Sequence, residues 1–462
     1  MKHFLLIIYL FIAQASIAQK AKQVFGVDEF INMVKSFHPI AKQANLQVDK
    51  AKAELLAARG GFDPVLNYEG SRKTFDGKNY YFYNNPELKV PLPVGDIKLG
   101  AESNGGTYLG SEVSQGNSSY LGIEMPLAKG LLLDKRRASL QQAKIYRQQS
   151  EQEKLKMLNE LLLDAYTAYW QWAGQYQLLD IYTRYLQVAN DRLRLVRVAQ
   201  QNGDRALVDT IEAFTQVQNF LLLQTEAVMK LNTAALELSN YLWTDNDTAY
   251  LLPNHLVPDV LQFNRNIPLP ALEELVSKAM QQNPSLQTYN YKLDALEVER
   301  KLKQQSLLPT LNVKANLLNK DYYVLKGVNG AFLENNYKWG IDFKMPLFLR
   351  EARGDYKKAQ IKIKETNLEL DSKRWEVENK IRNYFNEALQ IQQQLQTASV
   401  TLTNYTLLLK AENLRFSNGE SSLFMVNSRE NKVIELQQKL AELRMKFFKA
   451  NYAMQWASGM IK

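Results

Sequence analysis

The chain has 462 residues, 46% of them hydrophobic and 23% charged, a composition that excludes a disordered protein. It has no cysteine, which excludes a disulfide framework, a thiolate zinc site and a lipid anchor on a mature N-terminal cysteine. Its net charge of +9 comes from Lys and Arg interleaved with Glu and Gln on long helical stretches, so it reads as solvated helix faces and not as a nucleic-acid footprint.

Lys2 and His3 precede an apolar run from Phe4 to Ala13, with small residues at Ser16 and Ala18. This is the pattern of an export signal over residues 1–18. The run is well short of the ~20 apolar residues of a spanning helix. No other segment is apolar enough to span as a helix.

From residue 24 to 243 one set of elements follows. A helix is interrupted at His38-Pro39, and Pro64 opens a region of period two in which Ile97, Leu99 and Ala101 alternate with polar residues and Gly100. Leu121, Ile123 and Met125 continue that alternation into Met125-Pro126-Leu127. Beyond Arg136 there is no proline until past Gln200, and glycine only at Gly174. One continuous helix there would be ~97 Å long at about 1.5 Å per residue. Leu158, Leu162, Ala165, Tyr169, Trp172, Tyr176 and Leu179 recur at spacings of four and three, a coiled-coil seam. Asn202-Gly203 is a helix stop, and the pattern restarts at Leu207, Ile211 and Phe214. Residues 244–267, with Pro253 and Pro258, form a connector expected to lie around the equator of the helical part.

Residues 268–458 then repeat the series. Asn283-Pro284 and Pro309 stand 245 residues after His38-Pro39 and Pro64. Leu311, Val313, Ala315 and Leu317 alternate in one strand, and Trp339, Ile341, Phe343 and Met345 in its return. Met345-Pro346-Leu347 answers Met125-Pro126-Leu127, and Asn418-Gly419 answers Asn202-Gly203. Before that stop a seam runs through Leu395, Ala398, Leu402, Tyr405, Leu409, Glu412 and Phe416. After it Val426, Val433, Leu440, Phe447 and Met454 fall one heptad apart. Each repeat is therefore a strand region followed by a tall helical hairpin, and both hairpins are expected to point the same way. Asn190, Glu412 and Glu430 are polar positions in these seams. A solid bundle and a water-filled tube are equally compatible with the polar outer faces.

Strands of about ten residues with one apolar face suit a membrane barrel, and an ordinary soluble hairpin also alternates. Tyr80, Tyr81, Tyr83, Tyr322, Tyr323, Tyr337 and Trp339 cluster near loop ends, as an interfacial girdle would. Pro64 to Met125 spans 61 positions and Pro309 to Met345 spans 36, so the first strand loop is longer by 25. Two main strands per repeat give four per chain. Membrane barrels start at about eight strands, and open edges are not tolerated in lipid. A membranous chain must therefore oligomerise.

These residues, in this order and twice over, resemble the TolC family of outer-membrane efflux proteins, across residues 24–458. The motifs that carry the resemblance are His38-Pro39 and Asn283-Pro284, Pro64 and Pro309, the two Met-Pro-Leu entries, and the two Asn-Gly turns. It implies a mainly α fold with a β-barrel part: a homotrimer whose twelve strands form one outer-membrane barrel, continuous with a coiled-coil tunnel in the periplasm. It implies an exit duct of a tripartite efflux or type I secretion system, served by a periplasmic adaptor and an inner-membrane pump, with no cofactor. The adaptor-docking tips would be Asn202, Gly203 and Asp204 with Asn418, Gly419 and Glu420. The gate region would be Asp209 and Glu212 with Met425 and Ser428. The family's second-repeat carboxylates are replaced here by Met425 and Ser428, so the gate is expected to rest on Met425 packing and on Asp209 pairing with Arg205 or Arg429.

An enzyme is not indicated, since His38 and His255 are the only histidines beyond the signal and no phosphate-binding glycine loop is present. His38, placed before a proline, suits packing or capping. The competing readings are a periplasmic coiled-coil adaptor, which would show one hairpin set in β-rich domains, and a secreted structural coiled coil.

Overall fold

A computed structural model describes residues 22–320 and 336–461. The export signal over 1–18, Tyr322 and Tyr323 lie outside the described residues. The chain divides into two compact units that cut across the sequence repeats. One holds residues up to 45, 154–284 and 374 onward, and the other holds 46–153 and 285–373.

Both repeats open with a helix, a break and a second helix. In the first repeat these are α1 (Val27–Phe37) and α2 (Pro39–Arg59). The break falls where a proline ring excludes helical geometry from the preceding residue. His38 accordingly has ψ 134°. Its Nδ1 accepts the N–H of Ile40 at 3.2 Å, so His38 caps α2 as expected. The ring stacks on Tyr241, and burial holds its pKa below the usual histidine value against the opposing effect of a backbone hydrogen bond at Asn240.

Among its described residues the unit of residues 46–153 and 285–373 contains one antiparallel sheet of six strands, and here the expectation of four per chain is corrected. The strands are β2 (Val65–Phe75), β3 (Lys78–Pro91), β4 (Asp96–Gly105), β5 (Gly116–Pro126), β7 (Thr310–Lys320) and β8 (Tyr337–Lys344), hydrogen-bonded in that order. β2 and β7 begin 245 residues apart, one after Pro64 and the other after Pro309. The 25 additional residues of the first repeat are thus accounted for by a second hairpin, β3–β4, placed between strands that have counterparts in the other repeat.

Register gives every strand one apolar and one polar face. Leu88, Leu99, Leu121, Leu317 and Tyr337 succeed one another across five strands in one row. The next row holds Lys98, Gly122, Asn316 and Lys338. On the apolar face Leu66, Leu99, Ile123, Trp339, Ile341 and Phe343 are all exposed in the single chain. On the polar face Glu124 pairs with Lys98 at 2.8 Å and faces Lys314 at 3.6 Å, and the Tyr120 hydroxyl donates to Glu87 at 2.6 Å.

The other unit holds the hairpins from residues 154 and 374 onward, with a short parallel pair, β1 (Gln23–Phe25) and β6 (Leu256–Pro258), that ties the connector to the N-terminal segment. The first hairpin joins α3 (Lys135–Gln201) to α4 (Leu207–Ser239). The connector contributes α5 (Val260–Phe263), and the second repeat opens with α6 (Leu272–Gln282) and α7 (Pro284–Gln305). The second hairpin joins α8 (Arg350–Ser417) to α9 (Leu423–Ser458). α3 and α8 run unbroken for 67 and 68 residues.

The core is aromatic. Trp170 lies flat on Phe448 with ring centres 3.7 Å apart, Tyr166 lies on Tyr452 at 3.8 Å, and the Tyr169 hydroxyl donates to the Phe25 carbonyl at 2.8 Å. Gly174 stands where a Cβ would meet the Met445 side chain, which is why α3 carries a glycine there. Val426, Val433, Leu440, Phe447 and Met454 are all buried, as their heptad spacing predicts.

Two seam expectations fail. Leu207, Ile211 and Phe214 are exposed, and α4 instead buries Ala213, Gln216, Phe220, Ala227 and Ala234. A helix with two apolar stripes gives no sequence signal for which one its own chain covers. Asn190 also lies outside the seam: it is exposed and donates to the Leu186 carbonyl, while Ala189, Leu193 and Val196 are buried.

Candidate functional site at the hairpin tips

Both hairpins end by the same hydrogen-bond scheme. Gly203 has φ +83° and Gly419 has φ +78°, the left-handed region that glycine enters without a Cβ clash. The Gly203 N–H donates to Gln200 O and the Asp204 N–H to Ala199 O. In the second tip Gly419 donates to Phe416 O and Glu420 to Arg415 O. This paired closure satisfies the last carbonyls of each helix. Ser422 then caps α9, its hydroxyl accepting the Met425 N–H. Asn202, Gly203, Asp204, Asn418, Gly419 and Glu420 are all exposed.

The two tips touch. The Arg205 guanidinium lies 4.2 Å from the Phe416 ring centre and donates to the Phe416 carbonyl at 3.3 Å. The hairpins therefore point the same way. Asp209, expected to pair with Arg205 or Arg429, pairs with neither: Arg205 is committed to Phe416, and the Asp209 backbone N–H donates to Ala206 O at the start of α4. Met425 and Ser428 lie on the exposed side of α9 within the single chain.

Below the tips is a buried polar lock whose full extent the sequence did not reveal. Arg192 of α3 forms two hydrogen bonds of 2.7 Å with the two carboxylate oxygens of Glu430 on α9. It also donates to Asn427 Oδ1 at 3.1 Å, and the Asn427 amide donates to Glu212 of α4 at 3.1 Å. Glu430 is 2% exposed. One helix of the second hairpin is thus bolted to both helices of the first. Glu212 joins this lock, whereas Asp209 does not. Glu430 sits four residues after Val426 in the buried seam, which is the signal that was available; Arg192 has no such signature.

The aromatic residues near the strand ends divide by parity. Tyr337 and Trp339 lie on the apolar face, while Tyr80 falls at the register shift between β2 and β3, its ring beneath the Lys73 ammonium and 4.8 Å from the Tyr108 ring. Tyr81 and Tyr83 stack on each other at 5.0 Å but share the polar face, so they are removed from the expected girdle by strand alternation. At the other end of the sheet Asp134 caps α3 by accepting the Arg137 N–H at 2.9 Å. Burial raises its pKa, but that N–H and the Arg137 and Arg136 guanidiniums outweigh it and hold the carboxyl below the usual range. Among the described residues no group of three His, Asp or Glu side chains is arranged to hold a metal ion. No described helix is long and apolar enough to cross a membrane.

The fold is that of the TolC-like outer-membrane channels. The chain superposes on the CmeC outer membrane channel of Campylobacter jejuni with TM-score 0.64 at 14% identity, over 94% of this chain and 85% of that one. It matches VceC of Vibrio cholerae with TM-score 0.63 at 15% identity, over 94% and 96%. It matches the MtrE outer membrane channel of Neisseria gonorrhoeae in its open state with TM-score 0.65 at 13% identity, over 96% and 93%. Residues 275–459, most of the second repeat, match the family model of the outer membrane efflux proteins. No curated protein matches the chain by sequence. The resemblance read from the duplicated motifs is thereby borne out.

Proposed function

We propose that the chain is the outer-membrane exit duct of an efflux or secretion system, working as a homotrimer with its helical hairpins in the periplasm. The observation that carries this reading is the six-stranded antiparallel sheet with an exposed, continuous apolar face in a chain that also carries two long helical hairpins. Such a sheet is stable only where lipid covers the apolar side and further strands cover its edges. Leu207, Ile211, Phe214 and Leu222 of α4 are also exposed, and packing against the next copy buries them.

On this reading the tips, Asn202 to Asp204 and Asn418 to Glu420, receive the periplasmic adaptor that couples the duct to an inner-membrane pump. The Arg192–Glu430–Asn427–Glu212 lock holds the hairpins together when the duct is closed, and opening repacks one hairpin against the other. Met425 and Ser428 face the equivalent residues of the other copies near the axis.

Planar-bilayer recording tests this. The purified protein is expected to insert and conduct weakly, and Arg192→Ala to raise the unit conductance by releasing the lock. Absence of any conductance from detergent-extracted protein, wild type and variant alike, contradicts the duct. If Met425→Asp leaves closed-state conductance and its cation sensitivity unchanged, Met425 does not line the gate.

A further inference from the structure

We infer that the additional β3–β4 hairpin is part of the barrel wall, so that three copies close an eighteen-stranded barrel where the family resemblance implies twelve. This rests on the channel reading above and deepens it.

Three observations carry it. First, the hairpin lies in the middle of the sheet: β3 pairs with β2 and β4 with β5, each over most of its length. A flap above the barrel would leave β2 paired directly with β5. Second, the turn between β3 and β4 lies level with the helix-side ends of the other strands. Asp96 at the start of β4 faces Glu124, which faces Lys314, and Asp96 is held by Arg136 of α3 at 2.8 Å and Lys89 of β3 at 2.9 Å. The hairpin therefore traverses the full height of the sheet and returns. Third, its two faces continue those of its neighbours. Leu88, Leu99, Leu121 and Leu317 form one apolar row, while Lys98 forms an ion pair with Glu124 on the polar face. Strands of 14 and 10 residues also meet the length that a barrel strand needs.

The sheet has two unpaired edges among the described residues, β2 and β8. With six strands alternating in direction these edges are antiparallel to each other, so β8 of one copy pairs with β2 of the next and the ring closes without a parallel joint. Six strands cannot close alone. Eighteen place the barrel in the size range that leaves an aqueous channel through the membrane. The outer mouth is then wider than a twelve-stranded one, and the constriction that selects cargo lies at the helical tips.

Because the chain has no native cysteine, single cysteines report each face. Lys98→Cys and Leu99→Cys in β4 are compared with Asn316→Cys and Leu317→Cys in β7, which lie in the same two rows of the sheet. Each variant is placed in outer-membrane vesicles, treated with a membrane-impermeant maleimide, and its copy number read by native mass spectrometry. The expected result is that the Lys98 and Asn316 positions label several-fold faster than the Leu99 and Leu317 positions, in particles of three chains. Equal labelling of the two β4 positions, with alternation retained in β7, places the hairpin outside the wall and overturns the inference while leaving the channel reading intact. A particle of other than three chains also overturns the count of eighteen. Loss of alternation in both strands overturns the membrane reading itself.

Discussion

In the first repeat His38-Pro39 breaks the opening helix. In the second, Asn283-Pro284 breaks it 245 residues later with nearly the same backbone, ψ 134° against 122°. The tip glycines agree as closely, with φ +83° and +78°. The repeats part company in two places: the first carries the β3–β4 hairpin, and the tip region holds Asp209 and Glu212 in one repeat against Met425 and Ser428 in the other. The contrast shows which constraints are backbone geometry and which are side-chain contact. Where the chain must break a helix or reverse direction, both copies solve the problem with the same residue types. Where the copies meet each other they are complementary. Arg192 comes from the first and Glu430 from the second, as do Arg205 and Phe416.

The complementary contacts are expected to be the most sensitive. Glu430→Ala leaves the Arg192 guanidinium buried without its counter-charge, at a cost of about 3–5 kcal/mol. Thermal unfolding of the detergent-solubilised protein is expected to show a large fall in midpoint, and Arg192→Met combined with Glu430→Met to recover part of it. A fall as large in the double variant argues against charge pairing as the cause.

The shared backbone devices come next. Alanine at Gly203 or at Gly419 must adopt a left-handed conformation at roughly 1–2 kcal/mol. Hydrogen exchange at the two tips is expected to rise by similar factors for the two variants. A response confined to one tip breaks the equivalence of the repeats. Arg205→Ala is a smaller perturbation: loss of a partly exposed cation–aromatic contact is worth about 0.5–1 kcal/mol. Faster exchange should then appear in both tips, because the contact joins them.

The smallest effect concerns a difference at an otherwise equivalent break. His38 has a pKa below its unfolded value because burial disfavours the imidazolium. Above about pH 6.5 both folded and unfolded forms are neutral there. As pH falls below that value the unfolded chain takes up the proton first, so stability is lost on acidification. His38→Asn reproduces the residue of the second repeat and should flatten the midpoint between pH 7 and 5. An unchanged slope assigns the acid sensitivity elsewhere.

Much of this organisation was legible in the sequence because prolines, Asn-Gly stops and strand alternation act locally. The heptad from Val426 to Met454 was legible for the same reason, and all five residues are buried. The β3–β4 hairpin was half visible: Ile97, Leu99 and Ala101 alternate plainly, but β3 carries Asn84, Asn85, Pro86 and Glu87 in its middle, and Pro86 demotes a strand. Arg192 was invisible because its value depends on a partner 238 residues away. The stripe through Leu207, Ile211 and Phe214 was read correctly as apolar and wrongly as covered, since periodicity does not say whether the cover comes from the same chain.

The central claim is that a duplicated helix–strand–hairpin unit builds one shared channel in the outer membrane. Native mass spectrometry of protein extracted from the outer-membrane fraction in mild detergent tests it most directly. Three chains in a particle that precipitates without detergent is the predicted result. A monomer or dimer soluble in the periplasmic fraction contradicts it.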